Sequence, residues 1–312
     1  MPAPTPLAAR PLSDPSPEGP VGLWTGPWLA MAGAVAFSGK AIIVKLAYQH
    51  GADAVTVIML RMAVALPFFL LMAWWAGRGQ SALSWRDRAS AAALGFTGYY
   101  LSSFLDFLGL QYVTASLERL ILYLTPAVVL VLSWALYGRR ASARQWLSMA
   151  VGYGGLLLVF GHELQLGGSR VALGAALVLA STLSYATYLL YSGEVVQRIG
   201  SLRLTGWASS VASLLCLAQF ALLRPVGELA QLAPAVAWLS LINGTVCTVL
   251  PVWLVMRAIE RMGSGRTAQY GMVGPVSTIV LGVLILGEPF TAWVAAGSLC
   301  VLAGVMLLGR AR

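Results

Sequence analysis

The sequence predicts an all-α integral membrane protein of ten transmembrane helices, arranged as two inverted repeats of five. Three observations carry that expectation: a charge-poor composition, ten apolar segments of spanning length, and self-similarity at a fixed offset. Of 312 residues, 59% are hydrophobic and only 10% are charged, against about a quarter in soluble globular proteins. So little polar surface cannot cover a soluble particle of this size, and the mean hydropathy of +0.79 agrees.

A helix needs roughly 20 apolar residues to cross about 30 Å of hydrocarbon. Such segments fall at 27–48, 54–76, 89–109, 113–136, 143–161, 171–191, 203–223, 235–257, 265–286 and 291–308. Pro67, Pro126, Pro251 and Pro275 lie inside them, which membrane helices tolerate when neighbours satisfy the freed backbone groups. An even number of spans puts both termini on one side. Loops on that side hold about 14 Lys and Arg, and the opposite loops about 2, so both termini are cytoplasmic. Residues 1–26 are rich in Pro and have no continuous apolar run. They read as a disordered cytoplasmic tail, not a signal peptide. The location expected is a bacterial-type inner (plasma) membrane, crossed many times.

Gly51 and Gly200, Thr56 and Thr205, Gly95 and Gly244, Pro126 and Pro275, Gly138 and Gly287, and Gly155 and Gly304 are each 149 residues apart. The offset carries span onto span, giving a first repeat at 27–161 and a second at 169–310. Five spans per repeat is an odd number, so the second enters the membrane from the opposite side. Secondary transporters use this arrangement for alternating access, with solute held near the midplane between repeats.

The stretch Phe37–Tyr48, FSGKAIIVKLAY, carries two lysines inside an apolar run. A charge at the centre of a span costs about 2.5–3.5 kcal/mol or more, so it faces a wet cavity or an ionic partner. Counting about 1.5 Å per residue from the outer span end puts Lys45 and Asp106 roughly 5 Å deep, Glu118 about 8 Å, Arg119 about 9 Å, Arg61 about 10 Å and Lys40 about 12 Å. All belong to the first repeat. Leu189 and Thr267, in the places of Lys40 and Glu118, are uncharged. Lys45 can snorkel outward. Lys40 is too deep for that and needs Glu118, Asp106 or a substrate carboxylate. Four cations against two acids leave a positive excess that suits a zwitterionic amino acid or a carboxylate metabolite.

Polar and aromatic faces extend this candidate substrate-binding or gating set. Tyr99, Ser103 and Asp106 share one helical stripe, as do Ser181, Ser184, Tyr185 and Tyr188. Arg119 and Tyr123 share a face of the fourth span, Gln269 and Tyr270 lie in the ninth, and Trp253 in the eighth. Two readings stay open. The charges serve substrate or gating, or they form a buried network that orients helices, with the stripes as packing contacts.

Other classes find no support. The basic residues form no dense patch, which argues against nucleic acid. Cys216, Cys247 and Cys300 are widely spaced within apolar segments, so neither metal nor disulfide is signalled. His162-Glu163 begins an HExxH string, but Leu166 stands where its second histidine belongs. No P-loop string occurs, so no ATP-driven step is expected, nor any enzyme activity or cofactor.

The stretches LYLTPAVVLVLSWALYGRR and GMVGPVSTIVLGVLILGEP, the latter ending in Gly287, Glu288 and Pro289, together with GLQYVTASLERLILYLTP (Gly109–Pro126), resemble the EamA branch of the drug/metabolite transporter superfamily. The resemblance covers about 27–310. It departs in the first half, where Gly138-Arg139-Arg140 replaces Gly-Glu-Pro. It implies a basket of helices around a central cavity, lined by spans 1–4 and 6–9, and export of amino acids or other small metabolites. The partners expected are a small-molecule substrate and the lipid bilayer. Glu118 or Asp106 offers a seat for a coupling proton, and facilitated diffusion fits equally. The alternative reading is a flippase or an intramembrane enzyme acting on a lipid-linked substrate.

Overall fold

Long apolar runs broken by short Gly-, Pro- or charge-bearing connections leave the backbone one solution in lipid, which is to satisfy its hydrogen bonds within helices. A computed structural model describes residues 20–138 and 142–310, with side chains except at 20–25, 166–167, 263–266, 268–269 and 308–310. The described residues are helical and contain no strand. Most of the expected tail, residues 1–19, lies outside the described residues, and the first helix starts at Pro20.

The helices are α1 (Pro20–Gln49), α2 (Ala54–Gly77), α3 (Trp85–Gly95), α4 (Ser102–Leu110), α5 (Ala115–Leu122), α6 (Thr125–Tyr137), α7 (Ala143–Ile199), α8 (Ser201–Leu223), α9 (Pro234–Gly244), α10 (Leu250–Gly271), α11 (Val273–Leu286) and α12 (Ala292–Arg310). A π turn at Phe96–Leu101 joins α3 to α4, and another at Thr245–Val249 joins α9 to α10. Helix α7 is two helical stretches joined across a kink at Gly168, whose φ of 60° and ψ of −143° only glycine adopts readily.

Seven helical stretches are long and apolar enough to cross a membrane: Gly26–Gln49, Ala54–Gly77, Ala115–Tyr137, Ala143–Gln165, Gly168–Ile199, Ser201–Leu223 and Pro234–Met262. Val273–Leu286 and Ala292–Leu307 are apolar but shorter. The remaining expected segment, 89–109, is helical. The helix that carries it opens on the charged stretch Trp85-Arg86-Asp87-Arg88, and the segment is interrupted by its π turn.

Two of the four glycine pairs that reveal the repeat, Gly95 with Gly244 and Gly155 with Gly304, are crossing points, and the other two take a positive φ at turns. A Cβ on Gly95 would overlap the carbonyl oxygen of Ala208 on α8, and one on Gly244 would come 2.7 Å from Val64 on α2. On α7 and α12, a Cβ on Gly155 would meet the carbonyl of Gly297 at 2.6 Å, and one on Gly304 that of Ser148 at 2.7 Å. Each π turn starts directly after its crossing glycine. A π turn loosens the helical ladder and exposes carbonyls. At the first, Ser184 donates to Thr97 O and Ser181 to Ser102 O, both at 2.7 Å. Two members of the polar stripe of α7 thus repair the neighbouring helix.

The prolines break helices at matched places. Pro126 starts α6 and leaves the carbonyl of Leu122 without its usual partner, and the Thr125 hydroxyl donates to it at 2.5 Å. Pro275 frees the carbonyl of Gly271, which accepts from the Tyr123 hydroxyl at 2.8 Å. Around these breaks, α1 lies against α10 and α11, α2 against α8, and α4 against α7. One apolar core joins Ala41, Ile42, Ile58, Met62, Phe107 and Val236 from α1, α2, α4 and α9.

Candidate functional site

Lys40 sits mid-helix in α1, 7% exposed, with apolar Ala41 and Ile42 beside it in the core. Its Nζ donates to Asp106 Oδ2 of α4 at 2.6 Å and lies 3.5 Å from Glu118 Oε1 of α5. The second contact is an ion pair without hydrogen-bond geometry, because both Glu118 oxygens lack a hydrogen-bond partner. Asp106 and Glu118 are 2% and 0% exposed. One ammonium therefore ties three helices, and neither acid is fully satisfied, since Asp106 Oδ1 is also unpaired.

Two arginines flank this centre. The Arg61 guanidinium of α2 lies 4.8 Å from the centroid of the Phe107 ring, and Lys40 Nζ is 5.9 Å from the same centroid. Arg61 Nη2 donates to Ser103 Oγ at 3.2 Å, while its Nε is unpaired. Arg119 reaches into the other half of the chain. Its Nε donates to Thr278 Oγ1 of α11 at 2.8 Å, and its Nη2 to the carbonyl of Phe37 at 3.2 Å. The buried Lys40, Arg61, Asp106, Glu118 and Arg119, with the half-buried Ser103, thus form one neighbourhood around the buried Phe107 and the more exposed Phe37.

A second charged group lies at the N-terminus of α5. Thr114 caps that helix, its hydroxyl accepting from Leu117 N at 3.0 Å. Two distant carboxylates accept from the same turn. Glu288 takes Ala115 N at 2.6 Å, Ser116 N at 3.2 Å and Ser116 Oγ at 2.9 Å. Glu163 takes the Thr114 hydroxyl. Anions at a helix N-terminus meet both its free N–H groups and its dipole. The left-handed Gly287 (φ 68°) turns the chain so that Glu288 folds back, and a Cβ on Gly282 would come 2.8 Å from its Oε2. Lys45 lines the same cavity of about 310 Å³ with both acids and donates to Val113 O at 2.6 Å.

This changes the charge count. The sequence gives four cations and two acids, but Glu163 and Glu288 join Lys45. Around Lys40 the excess is one positive charge, three cations against two acids. The sequence alone points to neither added acid as a site residue. Glu163 stands there only in an incomplete metal string. The signal for Glu288 was a carboxylate directly after an apolar helix, which needs donors such as the N–H groups of a helix start.

The other expected residues separate from this centre. Tyr99 and Tyr188 meet hydroxyl to hydroxyl at 3.2 Å, and Tyr185 stacks on Tyr188 with centroids 5.5 Å apart. That trio borders a different core cluster, with Leu94, Leu204 and Ala208. Tyr123 serves the Pro275 break. Trp253 is half exposed, with Arg257 5.8 Å from its ring centroid. It lines an apolar groove of about 620 Å³ with Phe68, Leu71, Met72 and Trp75. Tyr270 is 41% exposed. The Gln269 side chain lies outside the described residues. Among the described residues, no group of three or more His, Cys, Asp or Glu is placed to hold a metal ion.

Comparison with known proteins agrees with the two-part architecture. The profile described as "EamA-like transporter family" matches twice, at residues 24–161 and 172–310. The uncharacterized transporter YcbK of Bacillus subtilis (strain 168) is 32% identical over 268 residues, 83% of this chain and 84% of YcbK. The uncharacterized transporter YetK of the same organism is 24% identical over 285 residues, 90% of this chain and 86% of YetK. A solved crystal structure superposes with a TM-score of 0.61 at 15% identity, covering 91% of this chain and 96% of that one, a likeness of fold. With both halves matched and a relative of this identity, the chain belongs to the EamA-like transporter family.

Proposed function

We propose that the protein is a secondary transporter that exports small metabolites, amino acids foremost, across the inner membrane by alternating access. The observation that carries this is the Lys40 neighbourhood, where buried charges on α1, α2, α4 and α5 keep unpaired oxygen and nitrogen atoms. A purely structural network gains most when every member is satisfied. One with spare acceptors and one excess positive charge suits a small zwitterion. Its ammonium would face Glu118 or Asp106, and its carboxylate Arg61 or Arg119.

The rest of the reading follows from the repeat. Two inverted five-helix units, with both termini cytoplasmic, would rock about a central cavity between them. The matched helix breaks at Pro126 and Pro275 give the bending points. Glu118 and Asp106 are the groups on which a coupling proton would ride, and an imposed pH gradient separates that mode from facilitated diffusion. The apolar groove beside Trp253 favours the second reading, a flippase or an enzyme for a lipid-linked substrate, because such a protein needs an opening toward lipid.

The deciding experiment is counterflow in proteoliposomes with labelled amino acids, a few sugars and carboxylates, comparing wild type with Lys40→Ala. Exchange of amino acids, lost in a folded Lys40→Ala variant, is the expected result. A panel in which nothing exchanges overturns the amino-acid reading and directs the search to lipid-linked products by mass spectrometry.

A further inference from the structure

The second half contributes its own buried polar groups. Asn243 on α9 is fully buried, with neither the nitrogen nor the oxygen of its amide paired. Ser240, three residues earlier on the same helical face, is 3% exposed and its hydroxyl is unpaired too. Of the other buried serines, Ser102, Ser210, Ser213 and Ser298 return the hydroxyl to the carbonyl four residues back, whereas the Ser209 hydroxyl on α8 is unpaired as well. Burying an amide without partners is unfavourable enough that such groups are rare and call for an explanation.

Their position supplies one. Gly244 follows Asn243 directly, and a Cβ on it would come 2.9 Å from the carbonyl oxygen of Arg61. Four residues after Asn243, Cys247 Sγ sits 3.0 Å from where a Cβ on Gly39 would be, one residue from Lys40. Val236, lower on this face, belongs to the same core as Ala41, Ile58 and Phe107. The face 236–240–243–247 therefore borders the helices that carry Lys40 and Arg61, where Arg61 Nε and Asp106 Oδ1 are also unpaired.

We propose that Ser240 and Asn243 form the neutral half of a solute site whose charged half is Lys40, Arg61, Asp106 and Glu118, and that the solute is a small zwitterion bearing a hydroxyl or carboxamide. The proposal rests on the transport reading above. A carboxamide donates and accepts at once, so it complements a hydroxyl or another carboxamide. It disfavours a hydrocarbon isostere, because the amide would then stay unpaired.

The test is counterflow with isosteric solute pairs, threonine against valine and asparagine against leucine, in wild type, Asn243→Leu and Ser240→Ala. Leucine keeps the branching and the heavy-atom count of the asparagine side chain and removes the unpaired amide. Wild type should favour the polar member of each pair by about ten-fold. Asn243→Leu should lose that preference and raise KM for the polar member, with a thermal midpoint in detergent equal to or above wild type. Ser240→Ala, which changes almost no volume, should weaken the preference several-fold. A more stable Asn243→Leu that keeps both preference and KM makes the amide a burden of the fold and overturns the proposal. If Asn243→Leu fails to fold, an unchanged preference in Ser240→Ala overturns it. Wild-type exchange without any polar preference sinks this inference alone, whereas no exchange of any panel solute takes down the transport reading itself.

Discussion

The two matched halves share their helix breaks, their π turns and their crossing glycines, but they differ in what they bury. In the first, Lys40, Arg61, Asp106, Glu118 and Arg119 lie inside helices. At the same positions the second has Leu189, Ser210, Val255, Thr267 and Ala268. The shared features are backbone requirements of one helical framework. The charges are not needed to build that framework, because the second half does without them. They tie α1, α4 and α5 into one unit, while the second half answers with neutral groups such as Thr278, which receives Arg119. Function is therefore best sought where the halves differ, and stability where they agree.

The largest effect should come from the charged half. Lys40→Met leaves two buried carboxylates without a cation and should cost about 3–5 kcal/mol, read as a lowered thermal midpoint in detergent. The triple variant Lys40→Met, Asp106→Asn, Glu118→Gln removes the charges together and should recover most of that loss without recovering transport. A triple variant as unstable as the single one would show that the charges also build the framework, which breaks the contrast.

Matched glycines sharpen it. Overpacking a tight crossing costs about 1–3 kcal/mol. Gly95→Ala drives a methyl into a backbone oxygen, which cannot move aside. Gly244→Ala meets first the side chain of Val64. Both should lower the thermal midpoint, Gly95→Ala more. Glu288→Gln places an amide nitrogen against N–H donors at α5 and should cost about 1–3 kcal/mol, again read by thermal unfolding.

The smallest effect should lie at Asp53, the N-cap of α2, which accepts from Thr56 N at 3.1 Å and pairs with Arg224 at 2.6 Å. Burial pushes its carboxyl up, but the Thr56 bonds and Arg224 more than offset this and hold it below the usual range. A depressed folded value means that its contribution is full above the unfolded value of about 4 and is lost as pH falls through the folded one. Asp53→Ala should cost about 1 kcal/mol at neutral pH. The thermal midpoints of wild type and variant should converge in acid.

Hydropathy makes the helices legible, and the 149-residue offset marks the crossing glycines and prolines. The need of Lys40 for an acid was legible from its depth alone. Its partner was less so. Residue counting placed Asp106 about 7 Å shallower than Lys40, yet the two meet, because a lysine stem spans most of that distance and helices tilt. The π turns leave no mark in side-chain type. The α7 serines read equally as cavity wall or packing contact until the freed carbonyls of Thr97 and Ser102 were seen. Glu288 was recognisable as a family signature, but its target, the first turn of α5, is 173 residues earlier, and no local pattern connects them.

That separation sets an order of assembly in the cell. The amides of Ala115 and Ser116 emerge from the ribosome first, and the carboxylate that accepts from them is made 173 residues after Ala115. At about 5–20 residues per second, Ala115 waits roughly 9–35 s for Glu288. Over that interval the start of α5 must rely on Thr114, on Glu163 once it is made, and on lipid headgroups or the insertion machinery. Newly made chains truncated before Glu288 should therefore carry an open, protease-sensitive joint at residues 111–116, which closes only when the last helices arrive.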